Sequence, residues 1–224
     1  MKKTNSNFEL TIFIAVYALL IGMAIITHDS LIALASALCG ITYTILAGKG
    51  KPICYPIGAT GSVFYAYLSF VSNLWGNLIL YICYYIPMQI CGFFKWNKNL
   101  KKDKYEIVKT KLSYKEKVIL LFITVVLSVI TIIVLQSLQD KNPVIDGITT
   151  IFSILGMYLT VKRCIEQWII WGIVNGLSFF MWLDIALKGE KVYSTVYMWG
   201  VYFVLAIYFY INWKKELTQN SCAN

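Results

Sequence analysis

Trp168, Trp171, Asn175, Ser178 and Trp182 recur at spacings of three, four, three and four within EQWIIWGIVNGLSFFMWL, residues 166–183. On an α-helix that spacing draws one continuous stripe. Indole offers a flat apolar face for stacking, and an amide both donates and accepts hydrogen bonds. The stripe suits a flat ligand with polar substituents. Tryptophan also anchors membrane helices at the interface, and a lone Asn often bonds one such helix to another. Anchors belong at helix ends, however, whereas Trp171 and Asn175 lie well inside the apolar run.

The elements that position this stripe are membrane helices. The 224 residues are 58% hydrophobic and only 14% charged, with a mean hydropathy of +0.66. A water-soluble domain with that balance has too little polar surface. A net charge of +9 also fits a nucleic-acid binder, but the lysines cluster between apolar runs, as cytoplasmic loops require. No nucleic-acid partner is expected. The six cysteines match no zinc or redox spacing and read as small packing residues, so neither a metal nor a disulfide framework is implied. The basic start MKKTNSNFEL precedes an apolar run without a small-x-small cleavage site, which reads as a retained first span.

Apolar runs occupy residues 8–27, 31–47, 53–71, 75–94, 118–138, 144–161, 168–187 and 192–213. Each approaches the length that crosses a bilayer, which gives eight spans. With the N-terminus inside, every basic residue except Lys141, Lys188 and Lys191 falls on the cytoplasmic side. Both termini are then cytoplasmic. Segment 96–117, rich in lysine with Asp103, Glu106 and Glu116 interspersed, reads as a solvated or partly helical linker at the membrane surface.

An internal repeat organises the spans. Aligning Asp29 with Asp146 also aligns Tyr65 with Trp182, Tyr85 with Tyr202 and Trp96 with Trp213, and it places Cys54, Gly58 and Gly61 opposite Trp171, Asn175 and Ser178. One apolar run separates the blocks, so corresponding helices point the same way. The expected fold is an all-α integral membrane protein of eight transmembrane helices, with two parallel three-helix repeats joined by a linker helix (3+1+3) and an extra N-terminal span. The segments are 1–28 for the extra span, 29–96 for the first bundle, 97–117 for the basic cytoplasmic loop, 118–140 for the linker helix, 141–214 for the second bundle and 215–224 for a cytoplasmic tail. Parallel repeats place a substrate site near the midplane between the bundles.

Glu166, Trp168, Trp171 and Asn175 form E-x-W-x-x-W-x-x-x-N, and the first block carries YPIGATGSVFYAYLSF, LWGN and YYIPMQICGFFKW. These segments resemble the PnuC nicotinamide riboside transporters, part of the wider Pnu vitamin-transporter group, over roughly residues 53–96 and 161–213. The resemblance implies a SWEET-like fold in a bacterial cytoplasmic membrane. It also implies facilitated diffusion of unphosphorylated nicotinamide riboside, trapped by a cytoplasmic riboside kinase to feed NAD synthesis, with no cofactor. It makes Trp168, Trp171 and Asn175 substrate-site residues, and it sets Tyr85 and Gln89 along the translocation path. Ser178 and Trp182 join them through the stripe. Pro87 departs from the commonest pattern, and a proline there frees a backbone carbonyl or bends the helix. A homo-oligomer is compatible with all of this.

Charge placement favours passive transport. Glu166 lies beside Lys162 and Arg163 at the cytoplasmic end, and Asp29, Asp146 and Asp184 lie toward the outer ends. A mid-span carboxylate usually marks ion or proton coupling, and none is seen. His28, in an outer turn, offers no proton relay. Competing readings are the same fold carrying a deoxynucleoside, thiamine or riboflavin, and a non-transporting partner or sensor subunit. An intramembrane enzyme needs a nucleophile with its base, a metal cluster or a carboxylate pair, and the sequence shows none of these.

Overall fold

The computed structural model describes residues 2–28, 30–71, 75–101, 106–137, 139, 143–188 and 193–222; side chains at 2–10, 27, 69, 75–77, 182, 185, 193–195 and 220–222 lie outside this description. Its helices are α1 (Lys2–Thr27), α2 (Leu31–Gly48), α3 (Cys54–Val71), α4 (Trp75–Leu80), α5 (Ile86–Asn97), α6 (Tyr114–Ser137), α7 (Pro143–Val161), α8 (Gln167–Leu187) and α9 (Tyr193–Cys222). A π-helical turn, Tyr81–Tyr85, joins α4 to α5.

Local chemistry sets several of these boundaries. Ser30 caps α2 by accepting from the Ala33 amide at 3.1 Å. Ser113 and Glu116 form a capping box: Glu116 accepts from the Ser113 amide at 2.9 Å, and Ser113 Oγ accepts from the Glu116 amide at 3.3 Å. Helix α6 therefore starts ahead of the apolar run at 118. Pro87 has no N–H to give, and just before it the Ile86 amide reaches back to the Tyr81 carbonyl. That i-to-i−5 bond makes the turn before Pro87 a π turn.

Among the described residues, five helical stretches are long and apolar enough to cross a membrane: Leu31–Gly48, Leu78–Asn97, Tyr114–Ser137, Pro143–Val161 and Val196–Gln219. Helices α1 and α8 carry shorter apolar windows, Thr11–Ile26 and Gln167–Met181. No such window is found among the described residues of α3, which spends positions on Gly, Pro, Ser, Thr and Tyr. Helix α6 is the opposite case. Val118, Leu121, Phe122, Val125, Val129 and Ile133 are exposed on it, while Thr124 and Ser128 are buried on the side that packs along α7. Such a surface requires hydrocarbon around it.

Two helix groups make up the bundle. Helix α3 packs on α2 and α5, and α8 packs on α7 and α9. The groups meet where α5 lies against α7 and α2 against α9, with α1 also on α9. Two fully buried tryptophans tie the seam reciprocally. Trp96 Nε1 donates to the Thr160 carbonyl at 2.9 Å, near the end of α7, and Trp213 Nε1 donates to the Gly48 carbonyl at 2.6 Å, at the end of α2. Tyr55 meets Trp96 edge-on at 5.0 Å, and Trp168 meets Trp213 likewise at 5.7 Å. By these contacts Trp168 corresponds to Tyr55, which sets Trp171 opposite Gly58 and Asn175 opposite Ser62. That is one helical turn from the sequence register, which had matched Trp171 with Cys54 and Asn175 with Gly58.

The segment between α5 and α6 also corrects its expectation as a solvated linker. Ile107 is fully buried, its amide donates to the Gly50 carbonyl at 2.9 Å, and Thr110 exchanges backbone bonds of 2.9 Å with Arg163 and Ile165. Lys101 and Lys109 both pair with Glu216 of α9. Glu166 pairs with Lys117 at 2.8 Å and accepts from the buried Leu112 amide at 3.1 Å. The described residues of this segment, 98–101 and 106–113, form a packed strap across the helix turns at Gly50 and Arg163. Its alternating lysines conceal the apolar residues that bind it down.

Candidate substrate site

Where the two helix groups face each other they leave about 200 Å³ of free space. A single water needs an order of magnitude less, so the cavity has room for a small organic molecule. Its walls come from α2, α3, the π turn, α5, α7, α8 and α9, and none of the described lining residues carries a charge.

On the α8 side, the Trp171 indole is held in place. Its Nε1 donates to Thr160 Oγ1 at 3.1 Å, and that hydroxyl is itself fixed by donating to the Gly156 carbonyl at 2.8 Å. The ring lies over Gly156, where an added Cβ would stand 3.0 Å from it. The absence of a side chain at Gly156 is what admits the indole. Trp168 is more enclosed, tilted against Phe209 at 5.2 Å and edge-on to Trp213, so it contributes a wall rather than an open stacking face. Asn175 is buried and lines the cavity.

The opposite wall is phenolic. Tyr65 stacks on Tyr81 at 4.5 Å, and Tyr81 contacts Tyr85 at 4.8 Å. Tyr81 and Tyr85, at the two ends of the π turn, both line the cavity. Buried Gln89 donates through Nε2 to Ser62 Oγ at 2.9 Å, leaving Oε1 without a partner among the described residues. Tyr202 reaches in from α9, its hydroxyl only 2.2 Å from where a Cβ on Gly40 would stand.

Of the residues expected from sequence, Trp168, Trp171, Asn175, Tyr85 and Gln89 share this one cavity. Ser178 does not line it. It is buried one turn further along α8, on the same helix face as Trp171 but beyond Asn175, the last α8 residue in the lining. Trp182 belongs to α8, and its side chain lies outside the described residues. Sequence reasoning missed Tyr43, Ser62, Tyr65, Tyr81, Gln167 and Tyr202, which also line the cavity. Tyr81, Tyr85 and Gln89 recur every four residues, a signal that was available. Gln167 was hidden by its neighbours, since a polar residue between Glu166 and Trp168 reads as a helix end.

A bundle of apolar helices closed around an uncharged aromatic and amide cavity defines a membrane carrier of small, flat solutes. The chain belongs to the nicotinamide mononucleotide transporter family, which it matches over residues 30–215. It is 32% identical over 198 residues to the nicotinamide riboside transporter PnuC of Neisseria mucosa, covering 86% of this chain and 75% of that protein. With the nicotinamide riboside transporter PnuC of Haemophilus influenzae it shares 31% over 193 residues, 84% of this chain and 81% of the relative. A crystal structure of the vitamin B3 transporter PnuC superposes with a TM-score of 0.81 at 29% identity, over 95% of this chain and 92% of the other. The family is one of transporters, not enzymes, and the chain is a multi-pass membrane protein.

Proposed function

We propose that the protein is a facilitator for nicotinamide riboside, held between Trp171 and the tyrosine wall and hydrogen-bonded by Asn175 and Gln89. The observation that carries this reading is the charge-free lining. Nicotinamide riboside bears a pyridinium cation, which an indole face stabilises by about 2 kcal/mol where water is excluded. A phosphorylated mononucleotide would instead bury a dianion among described lining residues that offer no cation. The unphosphorylated riboside is therefore the better match. The same lining supports diffusion without ion coupling, because no described lining residue titrates as a carboxylate or ammonium.

The reading includes eight spans in a 3+1+3 arrangement with an additional first span. The α4–π–α5 rod counts as one helix, and α6 links the groups. The reciprocal Trp96 and Trp213 bonds support two parallel repeats related by a pseudo-twofold axis. The lysine distribution supports cytoplasmic termini.

Vesicles containing only this protein, loaded with a riboside kinase and ATP, are expected to accumulate labelled nicotinamide riboside. Accumulation requires the kinase and ignores an imposed proton gradient. Gradient-dependent accumulation without kinase would refute a facilitator, and equal or stronger competition by thiamine, riboflavin or deoxynucleosides would replace the substrate. A second expectation concerns Gly156. Its replacement by Val drives side-chain carbons into the Trp171 ring, and calorimetry should show riboside affinity reduced about tenfold or more with the protein still folded.

A further inference from the structure

At the end of the cavity nearest the strap, Gln167 opens α8 and lines the wall. Its side chain is fully buried, yet neither Nε2 nor Oε1 has a hydrogen-bond partner among the described residues. Native proteins pair nearly all such groups, and the exceptions mark a ligand or a water. Trp171 Nε1, Thr160 Oγ1 and the Glu166 carboxylate already have partners, whereas Nε1 of Trp168, the next residue in the chain, is buried and unpartnered among the described residues like the Gln167 amide. A free carboxamide offers one donor edge and one acceptor side by side. Its natural complement is another primary carboxamide, which satisfies both atoms with two parallel hydrogen bonds.

The spacing along α8 supplies the rest. Gln167, Trp171 and Asn175 are each four residues apart, and at 1.5 Å per residue the two amides stand about 12 Å apart with the indole between them. Elsewhere in the same lining, Ser62 and Gln89 contribute a hydroxyl and a free carbonyl oxygen, which with Asn175 make a set suited to several sugar hydroxyls. We infer that Gln167 is the specificity-determining residue for the substrate's carboxamide. It orients the ligand with the carboxamide toward the strap, the aromatic ring on Trp171 and the sugar at Asn175. This assignment rests on the transporter reading above. It adds that a flat cation on a sugar is recognised poorly unless it also carries a primary carboxamide.

The test compares two ligands on purified full-length protein by calorimetry: nicotinamide riboside, and N-ribosylpyridinium, which lacks only the carboxamide. Wild-type protein is expected to prefer nicotinamide riboside by about tenfold. In Gln167→Leu that preference disappears, through loss of riboside affinity alone, and the ligand-free variant melts higher than wild type because an unpaired buried amide has been removed. Gln167→Met serves the same purpose if the Leu variant does not fold. A variant that keeps the preference, or one that binds both ligands equally more weakly, overturns the assignment. A wild-type protein that binds both ligands equally does so as well, while leaving the transport reading standing. Wild-type protein that binds neither riboside overturns the transport reading itself.

Discussion

In Trp171→Ala, affinity for nicotinamide riboside is expected to fall about 30-fold or more, with the protein still inserted and folded. The estimate follows from the ~2 kcal/mol that a desolvated cation gains over an indole face. Trp171 is the appropriate target because its ring is positioned in advance. Thr160 fixes the indole N–H and Gly156 leaves the space beneath, so little ordering remains to be done when ligand arrives. Trp171→Phe keeps a flat face but loses the bond to Thr160, and should recover part of the affinity. Trp168→Ala gives the informative contrast. That ring is packed on Phe209 and Trp213, so its removal should lower thermal stability in detergent as well as binding. Calorimetry with matched melting curves checks the pair. Equal binding by wild type and Trp171→Ala would remove the indole from the site.

Trp213→Ala is expected to be strongly destabilising, costing about 3–5 kcal/mol by comparison with other large-to-small core substitutions. Trp213 is fully buried and donates to the Gly48 carbonyl, and Phe209, Trp168 and Lys109 gather around its neighbourhood. Its loss leaves a cavity and an unpaired carbonyl at the end of α2 together. Trp213→Phe retains most of the volume and gives up only the hydrogen bond, a loss of about 1–3 kcal/mol. Trp96→Phe should cost a similar amount, because its bond to Thr160 is the counterpart across the seam. Thr160 also holds Trp171 through its hydroxyl, so Trp96→Phe should weaken riboside binding while Trp213→Phe affects it less. Melting temperatures and affinities of the two Phe variants separate these effects. Identical changes in both would show that the latches serve stability alone.

The sequence by itself determined the class of protein and the face of α8 that matters. Apolar runs of bilayer length force helices, because a backbone in hydrocarbon must satisfy its own hydrogen bonds. Helical periodicity then puts Trp168, Trp171 and Asn175 on one side whatever they pack against. The E-x-W-x-x-W-x-x-x-N pattern carried the family, and Tyr85 and Gln89 followed from it. Only the tertiary structure decided which of these residues meet. Ser178 shares the stripe but not the cavity, since the lining stops at Asn175 along the α8 axis and periodicity says nothing of how far along a helix a cavity reaches. The register slipped by a turn in sequence because large and small residues exchange places between the two helix groups. Tyr43 lies over Gly58 in one group, while Trp171 lies over Gly156 in the other. Residue types therefore do not align even where shapes do. The strap and Gln167 were hidden for a related reason. Burial depends on what the rest of the chain places nearby, and a lysine-rich loop can hide Ile107 in the core while a fully buried amide hides among helix-capping polar residues.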